Sequence, residues 1–317
     1  KVVLEALACG LPVITTSTIL IGLPVTVIPA TPDAIVKEVI KMQKTEGRAL
    51  SEYIREHHSL EHLIPRMVTF ISHPPPDPKV FYDVVMPEKL GSNYERARWR
   101  ANPLLSAQYR MMTDVLGRLV IPIVRHASRV LEVGPGPGTW TKLLLEANPV
   151  AQYTLVDISK EMLAQAREGL AGHANIAFVG SDFLAFESSQ PFDFFFSSRA
   201  IEYMPDKRAA MRKIASLLAH GAFGAIVTKM PKPFFNRLRG RSMSELHTGQ
   251  IAPRDLTRLL GHSGFTVEKV RIATATLPGF GSARLNSVAY ALLKHVPLFF
   301  PFTLFAESYV VTFRKLL

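Results

Sequence analysis

Three glycines at alternate positions follow a short apolar run, and this pattern constrains the fold more than any other feature of the chain. Residues 130–133 read Val-Leu-Glu-Val, and the glycines are Gly134, Gly136 and Gly138. Glycine adopts positive φ and lets the backbone approach a ligand, so the pattern predicts a β-strand that enters a tight turn and opens a helix. The unpaired N–H groups of a helix N-terminus favour a polar or anionic ligand.

The spacing of the glycines excludes a dinucleotide-binding loop. That loop requires Gly-x-Gly-x-x-Gly. The sixth position is Thr139 when counted from Gly134 and Thr141 when counted from Gly136. Glu132 instead stands two residues before the first of three evenly spaced glycines. This run resembles the first motif of class I S-adenosylmethionine (SAM)-dependent methyltransferases.

Three later strand ends extend the resemblance. Asp157 closes a second apolar strand, 19 residues after Gly138, where a carboxylate accepts hydrogen bonds from both hydroxyls of a ribose. A third strand at 176–180 runs into Ser-Asp-Phe at 181–183, which matches the adenine-binding turn of that family. A fourth strand at 192–196 leads into residues 197–203, where the family places groups near the methionine end of SAM and near the acceptor.

The resemblance covers about residues 94–317 and implies SAM as the cofactor. It assigns the glycines to the methionine portion, Asp157 to the ribose, and Asp182 with Phe183 to the adenine. It also assigns Glu132 to the amino group of the methionine portion, through water. The cofactor-binding residues that it implies are Glu132, Gly134, Gly136, Gly138, Asp157, Ile158, Asp182, Phe183 and Ser198. Tyr94, Arg98 and Trp99, in the segment before the first strand, are candidates for a lid over the cofactor.

Three residues are candidates for catalysis. His247 lies in the loop after the fifth predicted strand and has a pKa range suited to proton transfer. Glu202 and Tyr203 follow the fourth strand and are nearer the cofactor in sequence. The alternatives are that His247 forms a hydrogen bond within its own loop and that Glu202 caps a turn. The histidines show no metal-ligand spacing with supporting carboxylates, so we expect no metal.

Strands and helices alternate along residues 94–317. This alternation predicts an α/β fold with a parallel sheet and helices on both faces. The resemblance implies a Rossmann-like class I methyltransferase with a mostly parallel, seven-stranded sheet. The resemblance also implies that the last predicted strand, 308–313, is the antiparallel strand near the edge of that sheet.

Residues 1–72 show a second resemblance, to a different family. The run from Glu5 to Ile14, Glu-Ala-Leu-Ala-Cys-Gly-Leu-Pro-Val-Ile, resembles the C-terminal half of GT-B fold retaining glycosyltransferases, in which a glutamate at the position of Glu5 holds the sugar nucleotide. The phosphate-binding loop and the acceptor half of that fold lie outside this sequence. We therefore expect an incomplete, catalytically silent α/β glycosyltransferase fragment at 1–72, a Pro-rich extended linker at 73–93, and the methyltransferase domain at 94–317.

Charge and hydropathy suggest the partners. The formal net charge is +11, and residues 221–317 hold 13 Lys and Arg against 4 Asp and Glu. The basic segment 229–241 and the apolar segment 296–305 predict a cationic, apolar acceptor site that touches an anionic membrane peripherally. The alternatives are a solvated loop and a cap over the domain's own core. No RNA-binding module is evident, so we expect no nucleic acid partner.

The single cysteine, Cys9, excludes an internal disulfide, and no apolar run reaches the length of about 20 residues that a membrane helix needs. A cytoplasmic protein is the expectation. The leading hypothesis for its function is SAM-dependent O-methylation of a glycan, glycolipid or other lipid-linked small acceptor. C-methylation of a quinone or polyprenyl-type substrate, and a non-catalytic SAM-binding module that docks a membrane or partner, remain open.

Overall fold

The structure is a computed structural model, and it describes residues 14–15, 26–27, 31, 77–90, 94–231, 249–277, 281–299 and 301–316. The chain divides into two compact units, residues 1–75 and 76–317. In the first unit, β1 (Ile14–Thr15) and β2 (Thr26–Val27) pair in parallel. Glu5 and the rest of the glycosyltransferase-like motif lie outside the described residues.

The second unit opens with a series of short helices. They are α1 (Pro78–Val80), a π-helical turn (Phe81–Val85), α2 (Met86–Leu90), α3 (Tyr94–Trp99), α4 (Pro103–Leu119) and α5 (Ile121–Val124). Residues 78–90 are therefore helical, although the proline run predicts an extended linker there. The physical reason is local: Asp77 accepts a hydrogen bond from the Lys79 N–H, and Pro78 occupies the first helical turn, where its missing N–H costs nothing.

Seven strands form one sheet. They are β3 (Arg129–Val133), β4 (Gln152–Asp157), β5 (Ile176–Gly180), β6 (Phe192–Ser198), β7 (Leu218–Lys229), β8 (Phe265–Ala275) and β9 (Ala306–Lys315). Their order is β5-β4-β3-β6-β7-β9-β8, and only β9 runs antiparallel to its neighbours β7 and β8. The predicted seven-stranded, mostly parallel sheet with its late antiparallel strand is confirmed.

Helices cover both faces of this sheet. After β3 the chain forms α6 (Thr139–Ala147), α7 (Lys160–Gly169), α8 (Lys207–Leu217), α9 (Pro253–His262) and α10 (Ala283–Leu293). Successive strand residues point to opposite faces, so Phe195 packs with α8 and α9, while Phe194 and Phe196 pack in a second core with α6. Both cores consist of side chains almost fully withdrawn from solvent.

Two further observations bear on partners. No helix within the described parts of the chain is long and apolar enough to cross a membrane. Of the apolar segment 296–305, Leu298 packs against the first core, whereas the Phe299 side chain is exposed. Of the basic segment 229–241, only Lys229, Met230 and Pro231 lie within the described residues.

Candidate functional site

A cavity of about 370 Å³ lies at the C-terminal ends of the parallel strands. The loops after β3, β4, β5 and β6 line it on one side, and residues of the helical segments 77–90 and 94–99 line it on the other. In open parallel sheets, ligands bind outside the carboxyl ends of the strands at the point where the strand order reverses. Here that point lies between β3 and β6.

The glycine run forms the bend after β3. Gly134, Gly136 and Gly138 have φ values of +69°, +56° and +84°, which side chains rarely tolerate. A Cβ on Gly134 would lie 2.3 Å from the Ala200 Cβ, so this glycine lets the loops after β3 and β6 meet. A Cβ on Gly136 would meet no protein atom within 4 Å, and Gly136 lines the cavity. The space beside Gly136 is therefore available to a ligand.

Asp157 ends β4 beside this bend. Its Oδ2 accepts a hydrogen bond of 3.2 Å from the Gly136 N–H, and its Oδ1 accepts one of 2.9 Å from the Ser159 N–H. Burial raises the pKa of this carboxyl to about 6, and the nearby charge of Asp83 adds to the effect. A buried carboxylate gains from additional hydrogen-bond donors, which the hydroxyls of a ribose supply. Ile158 lines the cavity next to it and is 39% exposed.

Glu132 lies beneath the cavity and does not line it. Its side chain is buried, and its Oε2 accepts a hydrogen bond of 2.8 Å from the Thr141 hydroxyl on α6. Burial raises the pKa of Glu132 to about 8, and the neighbouring Asp157 contributes. The structure thus places Glu132 where it ties β3 to the helix that follows the glycine bend.

The adenine-turn candidates and Ser198 reach the same cavity. Asp182 caps the short 3₁₀ turn Phe183–Ala185, because its side chain accepts a hydrogen bond of 2.9 Å from the Leu184 N–H. Phe183 is almost fully buried. The predicted cofactor residues that the structure brings together at the cavity are Gly134, Gly136, Asp157, Ile158, Asp182, Phe183 and Ser198. Gly138 is the N-cap of α6 and, like Glu132, lies outside the lining.

The three catalytic candidates have different surroundings. Tyr203 lines the cavity, and its hydroxyl lies 3.1 Å from the Tyr82 hydroxyl. Burial raises the pKa of both phenols. Glu202 lies outside the cavity lining and is buried; its Oε1 pairs with the Arg199 Nε at 2.7 Å, and its Oε2 accepts hydrogen bonds from Thr228 and from the Lys229 N–H. His247 lies outside the described residues.

Sequence reasoning missed several residues of the site. Arg199 lines the cavity. Its φ is 66°, and in the described part of the chain it is the one residue other than glycine with a positive φ. Tyr82 and Asp83 come from the segment predicted as a linker. Tyr82 lines the cavity, and Asp83 accepts hydrogen bonds from the Ser159 hydroxyl and the Glu161 N–H.

The sequence did single out Tyr94, Arg98 and Trp99 as lid candidates, and all three line the cavity.

A second cavity of about 740 Å³ adjoins the first. The two share a wall that includes Tyr82, Arg98, Arg199 and Tyr203. Away from this wall, the second cavity lies between α2 and α4 on one side and the ends of β7 and β9 on the other. Among the described residues, no group of three or more His, Cys, Asp or Glu side chains is placed to hold a metal ion.

Comparison with known proteins agrees with this geometry. A family model described as "Methyltransferase domain" matches residues 130–221, which span β3 to the start of β7. The chain is 33% identical over 122 residues to a trans-aconitate 2-methyltransferase of Methylobacterium nodulans, covering 38% of this chain and 44% of that protein. It is 32% identical over 135 residues to the protein of the same name from an Enterobacter species, covering 41% and 50%. The chain thus spans about half the length of these relatives.

Solved structures show the same fold at low sequence identity. Magnesium protoporphyrin IX methyltransferase of Synechocystis, with bound S-adenosylhomocysteine (SAH), matches with a TM-score of 0.51 at 15% identity, over 75% of this chain and 97% of that one. The [4+2]-cyclase SpnF matches with a TM-score of 0.53 at 16% identity, over 75% and 95%. The second unit therefore shares its fold with these structures, and residues 130–221 within it match a methyltransferase domain.

Proposed function

We propose that the chain is a methyltransferase that binds SAM in the cavity at the strand ends and transfers its methyl group to a small acceptor. The observation that carries this proposal is the contact between the Gly136 N–H and the Asp157 carboxylate, 3.2 Å apart, next to open space that no Cβ occupies. A side-chain-free bend and a buried carboxylate on the neighbouring strand fit the methionine portion and the ribose of SAM.

Each residue then has a physical task. SAM, when bound, supplies a methyl group that is already electrophilic, so the protein mainly orients the reactants. Asp157 accepts the ribose hydroxyls, Asp182 and Phe183 hold the adenine, and Ile158 packs on the adenine ring. Gly134 and Gly136 let the backbone meet the methionine portion. Ser198 lines its far end. Glu132 fixes the bend from below through its hydrogen bond to Thr141, and its approach to the amino group through water stays a prediction.

Four residues can be compared as candidates for a general base. The raised pKa values of Tyr82 and Tyr203 keep both phenols protonated near neutral pH, so neither accepts a proton there. The Glu202 carboxylate is engaged by three donors and lies outside the cavity lining. His247 remains a prediction for a base. An acceptor that is already ionised at neutral pH needs none.

Both the chemical class of the acceptor and the atom that is methylated are proposals. The two relatives above are named for methylation of trans-aconitate, which makes a small organic acid the first acceptor to assay. The O-methylation of a glycan or lipid-linked acceptor and the C-methylation of a quinone remain predictions from the sequence. A fold shared with a protein named as a cyclase does not by itself decide the reaction, so turnover must be measured directly.

Calorimetry and a transfer assay test the proposal. Asp157→Ala weakens SAM binding by about 1.5–3 kcal/mol, the scale of hydrogen bonds to a charged group. Glu187→Gln, a change at an exposed ion pair with Lys213, leaves the affinity unchanged. Labelled SAM incubated with trans-aconitate and with lipid and carbohydrate fractions yields SAH and a labelled product. Wild-type protein that fails to bind SAM refutes the proposal, and binding without turnover in any fraction supports the non-catalytic module instead.

Peripheral membrane contact has one supporting observation. Leu285, Val288 and Leu292 lie at helical spacing on α10 and are 45%, 57% and 72% exposed, and Phe299 is 53% exposed. Apolar side chains on one exposed helix face, in a basic part of the chain, fit an anionic lipid surface. Flotation with vesicles of phosphatidylcholine and phosphatidylserine tests this: the protein rises with the vesicles, and Leu292→Glu stays behind. Equal behaviour of both proteins removes the proposal.

A further inference from the structure

The lining of the second cavity contains both charged and apolar side chains. The charged residues are the cations Arg98, Arg199 and Lys229 and the carboxylate Glu307. The apolar residues include Phe81, Met86, Leu105 and Met112. A cavity of about 740 Å³ falls within the range of small-molecule sites. Its lining therefore fits a ligand with one charged end and an apolar body.

Arg98 differs from the other two cations of this lining. The Arg199 guanidinium pairs with Glu202 at 2.7 Å, and the Lys229 ammonium lies 3.5 Å from Glu307. Arg98 pairs with no carboxylate among the described residues. Its guanidinium instead lies 4.1 Å from the centre of the Trp99 ring, and burial together with the charge of Arg199 lowers its pKa.

A stacked guanidinium has its face on the ring and its N–H donors in the plane of the group. Five donors in a rigid fork match the two oxygens of a carboxylate. A partly buried cation without a counter-charge is unfavourable until an anion binds. Arg98 lines both cavities, so a carboxylate bound there borders the cavity in which we place SAM.

We propose that the second cavity binds the acceptor as an amphipathic carboxylic acid, with its carboxylate on Arg98 and its alkyl or aryl body among Met86, Leu105 and Met112. This inference rests on the proposed function. The inference extends that function by predicting an acceptor with one carboxylate and an apolar body, in contrast to a compact acid that carries several charges. The product is a methyl ester.

The reaction balances without a base. One carboxylate oxygen forms a bond to the methyl carbon, the bond between that carbon and the sulfonium sulfur breaks, and its electron pair stays on sulfur. The acid becomes a neutral ester and SAM becomes SAH, with no proton released. Arg98 holds the second oxygen. This reaction needs no proton acceptor, and both phenols of the shared wall, Tyr82 and Tyr203, stay protonated.

Calorimetry on the SAH-loaded protein tests the acceptor site apart from turnover. We expect decanoate to bind at least tenfold more tightly than decanamide, which has the same chain and no charge, and at least tenfold more tightly than butyrate. Decanamide binding as tightly as decanoate overturns the role of the charge, and butyrate or trans-aconitate binding as tightly overturns the apolar body. Failure of SAH itself to bind refutes the proposed function.

Variants of two arginines on α3 test whether Arg98 is the cation that binds the carboxylate. Arg98→Gln weakens decanoate binding at least tenfold and changes SAH affinity less than threefold. Arg96→Gln, an exposed arginine on the same helix, changes neither. If Arg98→Gln weakens SAH and leaves decanoate unchanged, its partner is the carboxylate of the cofactor, and the acceptor assignment is wrong.

A turnover assay completes the test. Decanoate and methyl-labelled SAM yield a labelled product that releases methanol in base, as a methyl ester does. In Leu105→Asn the KM for decanoate rises several-fold and the affinity for SAM is retained, because the change removes apolar contact in the second cavity only. A labelled product that is stable in base, or an unchanged KM in Leu105→Asn, contradicts the proposal.

Discussion

The Asp83 carboxylate accepts a hydrogen bond of 2.6 Å from the Ser159 hydroxyl, two residues beyond Asp157. The same oxygen accepts a hydrogen bond of 3.2 Å from the Glu161 N–H in the first turn of α7. Asp83 lies in the same π-helical turn as Tyr82, which lines the cavity. This contact therefore fastens the helical segment that covers the cavity to the loop that carries its central carboxylate.

Asp83→Ala tests this fastening. Loss of a capping carboxylate destabilises a protein by about 0.5–2 kcal/mol, and here it also frees one side of the cavity. We expect SAH to dissociate several-fold faster, measured by displacement with excess SAM. Ser282→Ala removes the N-cap hydrogen bond of α10, away from the cavity, and leaves the dissociation rate unchanged. Equal rates in wild type and Asp83→Ala would show that the segment is held by other contacts.

Gly136→Val separates backbone strain from ligand exclusion. A side chain at positive φ costs about 1–2 kcal/mol, and the new Cβ enters space where we place the cofactor. Gly172 is the matched control, since its φ is +98° and a Cβ there also meets no protein atom within 4 Å. Both variants lose similar stability in urea unfolding, and only Gly136→Val loses SAM binding in calorimetry. Retained binding in Gly136→Val places the ligand elsewhere.

Glu132→Gln changes how stability depends on pH. The pKa of Glu132 is raised from 4.5 to about 8, so the folded state favours the protonated carboxyl. Its contribution to the free energy of unfolding is full below about pH 4.5 and is lost as the pH rises through 8. Urea titrations at several pH values across this range measure it. Wild type loses stability relative to Glu132→Gln as the pH rises, and parallel curves contradict the assignment.

Glu202 has a structural role that substitution reveals. Its side chain is fully buried and forms an ion pair with Arg199. Removal of one partner of a buried pair leaves an uncompensated charge and costs about 3–5 kcal/mol. We expect Glu202→Ala to lose stability on this scale in urea unfolding and Glu202→Gln, which can still accept from Thr228, to lose less. A loss below about 1 kcal/mol in Glu202→Ala would show that Arg199 finds another partner.

The sequence predicts those parts of the site that depend on local geometry. Gly134 and Gly136 sit where a bend requires positive φ, and Asp157 ends a strand whose place in the sheet follows from strand–helix alternation. These features depend on a few adjacent residues, so their signal survives in the sequence alone.

Other parts of the site depend on distant contacts. Tyr82 and Tyr203 are 121 residues apart, and Asp83 and Ser159 are 76 apart. The proline run before residue 78 predicts an extended segment, so the sequence does not indicate the helical turn that carries Tyr82 and Asp83. The burial of Glu132 and Glu202 also escapes sequence reasoning, since a carboxylate on a strand or turn has the same local pattern whether it faces a ligand or a neighbouring helix.

The sequence by itself determined the order of strands and helices, the glycine bend and the carboxylate on the next strand, because each follows from backbone preferences and side-chain periodicity over a few residues. The tertiary structure decided which polar groups reach the cavity, which are consumed in buried pairs, and that Arg98 keeps no carboxylate partner among the described residues. The physical reason is that burial and charge compensation are set by neighbours that the fold brings together from far along the chain.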